Sequence, residues 1–135
     1  MICDADRYQE AREIRHRFGG AWRQAGILAA AGLYALRHHI DRLADDHARA
    51  RRLAQALAEA VPGVCDPDAV ETNMVLVNLV PAGISAAELE EKARADGVLI
   101  SELGDDVVRL VTHLDVDDAG CTRAMDVLTG ALVKR

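Results

Sequence analysis

The sequence predicts an α+β fold, in which long N-terminal helices precede a small, mainly antiparallel sheet of about three strands with helices on one face. Two observations lead to this prediction. The first half carries helical periodicity and one almost wholly apolar helical run, and the second half follows the order β-α-β-β-α. We divide the chain into a helical segment with a glycine turn and an interface helix, residues 1–38, and a small α+β domain, residues 39–135.

The composition excludes several classes of protein. With 50% apolar and 28% charged residues the chain is globular, and a net charge of -6 argues against a dedicated nucleic-acid binder, which needs a basic face. The longest apolar run, residues 25–36, is too short to span a bilayer. Cys3, Cys65 and Cys121 are widely spaced and odd in number. We therefore expect reduced thiols, a cytoplasmic location and no metal site.

The first predicted helix runs from about Arg7 to Arg17 and is polar and strongly charged. Asp4 or Asp6 is expected to cap its N-terminus, because aspartate oxygens accept hydrogen bonds from the free N–H groups there. The pair Gly19-Gly20 ends the helix, since paired glycines adopt the backbone angles of a tight link.

The second predicted helix, from about Trp22 to His38, contains the apolar run. A helix that is apolar on every side must be buried on every side, so this run predicts a partner surface. We also expect the glycine turn before it to present free N–H groups at a helix N-terminus, which suits an anion. Arg23 lies at this N-terminus, where a cation is unfavourable unless an anion binds too, although a plain surface arginine is the commoner case.

A third, amphipathic helix is predicted from about Asp41 to Glu59 and ends before Pro62-Gly63. Asp45 and Arg49 lie four residues apart and are expected to form a surface ion pair worth about a few tenths of a kcal/mol. Alanines and three leucines form the expected buried stripe, the leucines being Leu43, Leu53 and Leu57.

The second half begins with a predicted strand, Thr72 to Leu79, which is rich in alternating β-branched residues. Ser85 and Glu88 form the S-x-x-E pattern of a capping box, which predicts a helix to about Ala95. Gly97 is expected to close that helix, because glycine adopts the left-handed conformation of a C-terminal cap.

Two further strands and a last helix complete the predicted fold. Val98 to Ser101 is expected to form a short strand, and Val107 to Leu114 a longer one. Asp117 then caps an amphipathic C-terminal helix. The inward-facing residues of this helix are expected to be Ala124, Val127, Leu128 and Leu132.

Arg109 is the most informative side chain of the second half. Strand alternation puts it on one face with Val107, Val111 and His113, so a guanidinium stands among apolar neighbours in mid-strand. Burial of that charge without a partner costs several kcal/mol, so Arg109 either reaches solvent or meets a carboxylate. From periodicity alone, an arginine on the solvent-facing side of the strand is the commoner outcome.

Three separated blocks of the sequence carry a family resemblance. They are RHRFGGAWRQAGILAAAGLYAL, TNMVLVNL and GVLISELGDDVVRLVTHLDV, in this order. Together they resemble the C-terminal part of low-specificity L-threonine aldolases, enzymes of β-eliminating-lyase type that depend on pyridoxal 5′-phosphate (PLP) and have the aspartate-aminotransferase fold. The likeness covers essentially the whole chain and implies the C-terminal domain of PLP fold type I.

The resemblance implies roles for three side chains. In that family the arginine of the RLVTH strand binds the substrate carboxylate, and Arg109 occupies this position. The arginine of the family's GGGMRQ motif is presented to the neighbouring subunit's active site near the cofactor phosphate. It matches Arg23, with Ala21 and Trp22 in place of a glycine and the methionine. A family lysine seven residues before that arginine shares the contact, and His16 stands there instead.

The resemblance also implies that another polypeptide must supply the cofactor lysine and the cofactor domain. The family's Schiff-base lysine and cofactor domain precede the segment that matches MICDADRYQEAR, and Lys92 and Lys134, the two lysines present, match no cofactor lysine. We therefore expect no catalytic residue in this chain, and PLP only together with a partner chain that carries the lysine.

Three interpretations of function remain open at this point. In the first, the chain is the C-terminal subunit of a split, hetero-oligomeric aldolase that acts on glycine and threonine-like β-hydroxy-α-amino acids. In the second, it is a non-catalytic, truncated aldolase-like domain that serves as an oligomerisation or partner-binding module. The third is a small carboxylate-binding module that uses Arg109.

Overall fold

The computed structural model describes residues 3–133, which form five α-helices and three β-strands in two compact units. The first unit ends at Ile40 and the second begins at Asp41. No helix within this part of the chain is long and apolar enough to cross a membrane.

The first unit opens with a 3-10 turn, Ala5–Arg7, that leads into helix α1, Tyr8–Arg17. The helix lies where the sequence predicts it, but its expected cap is wrong. Neither Asp4 nor Asp6 accepts a capping hydrogen bond through its side chain, because the 3-10 turn puts Arg7 at the cap position of α1. The backbone carbonyl oxygen of Asp4 instead accepts a bond from the N–H of Arg7 at 3.1 Å.

The pair Gly19-Gly20 closes α1. The N–H of Gly20 donates to the carbonyl oxygen of Arg15 at 2.8 Å, and the N–H of Gly19 donates to that of His16 at 3.1 Å. These two bonds, with Gly19 at a φ of 73°, form a Schellman motif, which ends a helix through a left-handed glycine. Both glycine amides are therefore committed to α1, and the prediction that this turn presents free N–H groups to an anion is wrong.

The apolar helix α2 spans Gly26–His38 and begins later than predicted, because residues 23–25 form a turn. None of its residues is buried. Its exposed large apolar side chains are Ile27, Leu28, Leu33, Tyr34 and Leu36. A partner surface that covers this helix stays a prediction.

The second unit is an α+β domain, as predicted. Its elements are α3 (Leu43–Ala60), β1 (Met74–Asn78), α4 (Ala86–Ala95), β2 (Ser101–Gly104), β3 (Val107–Val111) and α5 (Asp118–Val133). The strand order is β1-β3-β2, and both strand pairs are antiparallel. The strand predicted from Thr72 to Leu79 contains β1, which is shorter at both ends.

The hydrophobic core lies against one face of the sheet. Buried and exposed positions alternate along β1 and β3, and the buried ones are Val75, Val77, Val108 and Leu110. Leucines of the three helices belong to the same core: Leu53, Leu57, Leu89, Leu128 and Leu132. Leu43 does not belong to the stripe predicted for α3, since it is 41% exposed. The reason is that the buried part of α3 begins one turn later, at Asp46.

The helix caps of this unit follow the sequence prediction. The Ser85 hydroxyl accepts a bond from the N–H of Glu88 at 3.3 Å, and the Glu88 carboxylate accepts one from the N–H of Ser85 at 3.1 Å. Gly97 ends α4 at a φ of 76°. The carboxylate of Asp117 accepts a bond from the N–H of Gly120 at 2.7 Å and caps α5.

The two strands after α4 depart from their predicted bounds. β2 begins at Ser101, where the predicted strand ends, and residues 98–100 lie outside the sheet. β3 ends at Val111, so Leu114 is exposed rather than part of the strand. A run of apolar residues predicts a strand but does not determine which residues pair, and β2 pairs only from Ser101 to Gly104.

Arg49 of α3 joins two helices and does not form the predicted pair with Asp45. Its Nε donates to Oδ1 of Asp118 in α5 at 3.0 Å, and its Nη1 lies 3.6 Å from Oδ1 of Asp46. Arg52 donates to the same Asp118 oxygen at 2.9 Å. The packing of α3 on α5 thus brings the carboxylate of Asp118 within reach of Arg49.

Replacement of Asp118 by asparagine should remove a pH-dependent part of the stability. The hydrogen bond from Arg49 holds the pKa of Asp118 below its ordinary value. A carboxylate with a lowered folded-state pKa stabilises the fold above the ordinary aspartate pKa of about 3.9, and this stabilisation is lost as the pH falls through the folded value. Urea unfolding should find Asp118→Asn less stable than the unchanged protein at neutral pH and equal to it at the acid end. Asp126→Asn, on the exposed side of α5, is the control, and a pH-independent difference for Asp118→Asn would contradict the account.

Candidate carboxylate-binding site

Arg109 lies in the middle of β3, the central strand of the sheet. Its register partners are Leu76 on β1 and Ser101 on β2. Facing residues of antiparallel strands project to the same side, so these three share the face opposite the core. That face is exposed, and its apolar side chains include Met74, Leu76 and Val111.

The guanidinium of Arg109 has no partner within residues 3–133, where it forms neither a hydrogen bond nor an ion pair. Other arginines of the same unit are paired: Arg42 with Asp46, and Arg49 with Asp118. A free guanidinium fork between apolar neighbours is suited to hold a carboxylate through two parallel N–H bonds.

A cleft of about 410 Å³ lies beside Arg109, between the edge of β3 and residues 97–101. Core residues such as Leu110 and Leu128 line its inner part. Its polar or charged side chains are Ser101, Arg109, Thr112, His113, Asp115 and Arg123. The volume is that of a site for a small molecule.

Most of the polar groups in the cleft are already bonded within the protein. The Thr112 hydroxyl donates to a backbone carbonyl oxygen of α3 at 2.7 Å, and Nδ1 of His113 accepts a backbone N–H at 3.2 Å. Arg123 donates to a backbone carbonyl oxygen at the end of α4 at 2.6 Å. Ser101 and Arg109 make no side-chain bond to the described residues, and they face each other across the β2–β3 pair.

Sequence reasoning identified Arg109 but missed Ser101. Alternation along one strand is enough to place Arg109 on the face opposite the core, whereas the position of Ser101 depends on the register between two strands. The available signal was the stretch Gly104-Asp105-Asp106, the end of β2 and the two-residue turn after it, which indicates a hairpin that folds β2 back on β3.

Arg23 and His16, the other two predicted site residues, lie in the first unit. His16 is an exposed residue of α1, and Arg23 is exposed in the turn before α2. Arg109 belongs to the second unit. A contact of Arg23 and His16 with a cofactor phosphate stays a prediction.

The remaining ligand-type side chains do not form a second site. In the described part of the chain, no group of three or more His, Cys, Asp or Glu residues is arranged to hold a metal ion. Cys65 and Cys121 are free thiols that donate to backbone carbonyl oxygens at 3.3 and 3.7 Å. Cys3 is a free, exposed thiol.

Comparison with known families establishes what kind of chain this is. A model of the β-eliminating lyase family matches residues 1–80, which include α1, α2 and α3. The chain belongs to this family. β-Eliminating lyases depend on PLP, which supplies an electron sink for reactions at the α-carbon of amino acids when it is bound.

The individual proteins that this chain resembles include threonine aldolases. The low-specificity L-threonine aldolase of Escherichia coli strain K12 is 42% identical over 116 residues, which cover 86% of this chain and 33% of the relative. Low-specificity L-threonine aldolase 1 of Arabidopsis thaliana is 31% identical over 106 residues, 78% of this chain and 30% of the relative. Alanine racemase TOXG of Cochliobolus carbonum is 27% identical over 135 residues, which cover 94% of this chain and 33% of the relative. The resemblance to threonine aldolases is confirmed, and the chain spans about a third of the length of these curated relatives.

The described residues do not supply a lysine for PLP. Lys92 is exposed on α4 and lies outside the cleft beside Arg109, and Lys134 is outside the described residues. PLP enzymes hold the cofactor through an aldimine to an active-site lysine. Among the residues lining the cleft, Arg109 is suited to hold an amino-acid carboxylate, and Lys92 is too far from the cleft to line it.

Proposed function

We propose that this chain is the carboxylate-binding subunit of a PLP-dependent enzyme of the threonine aldolase type, which cleaves or forms the Cα–Cβ bond of β-hydroxy-α-amino acids. The observation that carries the proposal is Arg109, a guanidinium without a partner among the described residues, on an exposed sheet face and beside a cleft. The similarity to threonine aldolases supports the reaction class.

Arg109 binds the carboxylate of a glycine-like or threonine-like substrate. Two parallel N–H bonds from its fork hold the carboxylate in one plane and so restrict rotation of the substrate about its α-carbon. Leu76 and Val111, on the same face, exclude water from the flanks of the ion pair and strengthen it. The role of this chain is therefore to bind and orient the substrate.

A separate chain supplies the lysine and the cofactor domain, in a hetero-oligomer. This part of the proposal is supported by Arg109, because its exposed guanidinium can serve a PLP-bound amino acid only where a cofactor-binding surface is brought beside it. Arg23 and His16 would reach the cofactor phosphate or the substrate across the subunit boundary, since both side chains are exposed. The exposed apolar side chains of α2, directly after Arg23 in the chain, would form part of the same boundary.

Co-purification from the native host tests the assembly, with the gene tagged at its own locus. We expect a second polypeptide, identified by mass spectrometry, that carries a PLP-modified lysine and gives the visible absorbance of a protein-bound PLP. Recovery of residues 1–135 only within one longer, lysine-bearing polypeptide would contradict the separate chain. Recovery with neither a lysine-bearing protein nor visible absorbance would contradict the enzyme.

A second candidate function is a non-catalytic oligomerisation module. It is favoured by α2, whose large side chains Ile27, Leu28, Leu33 and Leu36 are all exposed. A contiguous exposed apolar patch marks an interaction site. Sedimentation equilibrium of the purified chain separates the two functions. A stable homo-oligomer that does not exchange for the lysine-bearing polypeptide supports the module, and a chain that assembles only with that polypeptide supports the enzyme.

A further inference from the structure

The segment before β2 stops just short of pairing with β3. Ser101 faces Arg109, and this pair ends the β2–β3 ladder on that side. Residues 98–100 lie next along the chain but outside the sheet. Continuation of the same register would place Ile100 opposite Leu110 and Leu99 opposite Val111.

The edge of β3 offers hydrogen-bonding groups to this segment. The N–H of Thr112 donates to the carbonyl oxygen of Asn73 at 3.0 Å, on the β1 side of the strand. Backbone groups alternate in direction along an antiparallel strand, so the N–H and C=O of Val111 point away from β1, toward residues 98–100. Pairing of Leu99 with Val111 would add two backbone hydrogen bonds to the ladder.

The side chains of the segment also match an extended strand. Ile100 is partly buried and packs against the core, whereas Leu99 is 75% exposed. In the continued register Ile100 would lie on the core face beside Leu110, and Leu99 would lie on the Arg109 face beside Val111. Both Leu99 and Ile100 line the cleft, and this movement would narrow it along the edge of β3.

We propose that residues 98–100 form a lid that pairs with the edge of β3 when a carboxylate binds Arg109. The inference rests on the proposed function, because it needs Arg109 to bind that carboxylate. An apolar side chain moved beside an unpaired guanidinium adds a desolvation penalty, and this penalty is offset once the guanidinium is paired. The lid is therefore open without a ligand and closes over a bound carboxylate.

Hydrogen exchange of the full 135-residue chain, followed by NMR with glycine as the probe, tests the lid. At saturating glycine we expect the side-chain Nε–H signal of Arg109 to shift and exchange of the Val111 amide to slow by at least about tenfold. Leu99→Pro removes one N–H and disfavours pairing, so it should keep the Arg109 shift and lose the slowing at Val111. Leu99→Ala keeps the backbone N–H and is the matched control, which should retain both effects.

The outcomes separate the lid from the proposed function. A shift at Arg109 with unchanged exchange at Val111 overturns the lid and leaves carboxylate binding in place. Slow exchange at Val111 without glycine also overturns it, because the segment would then already be part of the strand. No shift at Arg109 overturns the lid as a property of this chain, and the proposed function, in which a partner chain brings the substrate, is tested separately by the co-purification.

Discussion

In the enzyme proposed above, replacement of Arg109 by alanine is expected to raise the KM for threonine by roughly 10- to 150-fold. Hydrogen bonds between charged groups contribute about 1.5–3 kcal/mol, and every 1.4 kcal/mol or so is a tenfold change in affinity. The measurement is the initial rate of aldehyde release over a range of threonine concentrations. Arg94→Ala is the matched control, since Arg94 is an exposed arginine of α4 that pairs with Glu90 and lies outside the cleft.

A carboxylate placed opposite Arg109 should have a related effect without removing the arginine. Ser101 is the register partner of Arg109, so Ser101→Asp puts a competing anion on the same face. We expect a raised KM for threonine with Ser101→Asp. With Ser101→Asn we expect a KM close to that of the unchanged enzyme, because asparagine has the shape of aspartate without its charge. An unchanged KM for both Arg109→Ala and Ser101→Asp would contradict the assignment of Arg109.

The largest expected effect on stability comes from Leu57→Ala. Leu57 is 1% exposed and lies in the core between α3 and the sheet. Truncation of a buried leucine removes apolar contacts and leaves a cavity, which costs about 2–5 kcal/mol. Because small domains have a free energy of unfolding of about 5–15 kcal/mol, this is a large share of the total. Urea unfolding followed by circular dichroism measures the loss.

Leu43→Ala is the matched control for that variant. It makes the same chemical change in the same helix, at a position that is 41% exposed and outside the buried part of α3. We expect a loss below about 1 kcal/mol. Similar losses for Leu43→Ala and Leu57→Ala would show that the first turn of α3 is as deeply packed as its centre. That result would contradict the exposed position of Leu43.

Much of the fold could be predicted from local sequence patterns, because the hydrogen-bond donor and acceptor of each helix cap lie within a few residues of each other. Ser85 with Glu88, and Asp117 with the N–H of Gly120, satisfy free helix amides within one turn, so the helix starts follow from a few residues. Features that depend on distant parts of the chain were missed. Arg49 pairs with Asp118 of α5 rather than Asp45, because the packing of two helices decides between the carboxylates.

The site shows the same division. Alternation along β3 was enough to place Arg109 opposite the core, and the family resemblance supplied its expected role. Ser101 depends on strand register, which a short apolar run does not determine. The Gly19-Gly20 pair ends α1 as predicted, but its amides are bonded to α1 and are not free for the anion that the turn was also expected to suit. Asp46 was overlooked because a buried carboxylate is rare, and it is held by two bonds from Arg42 at 2.9 and 2.6 Å.

The most direct test of the central claim is a titration of this chain into its lysine-bearing partner, with the rate of threonine cleavage as the readout. If Arg109 completes an active site on another polypeptide, the partner alone is nearly inactive, and the rate rises to a plateau at one chain per PLP-bearing lysine. The Arg109→Ala chain should assemble equally well and reach that plateau only at much higher threonine. Full activity of the partner alone, or no activity at any ratio of the two chains, would contradict the claim.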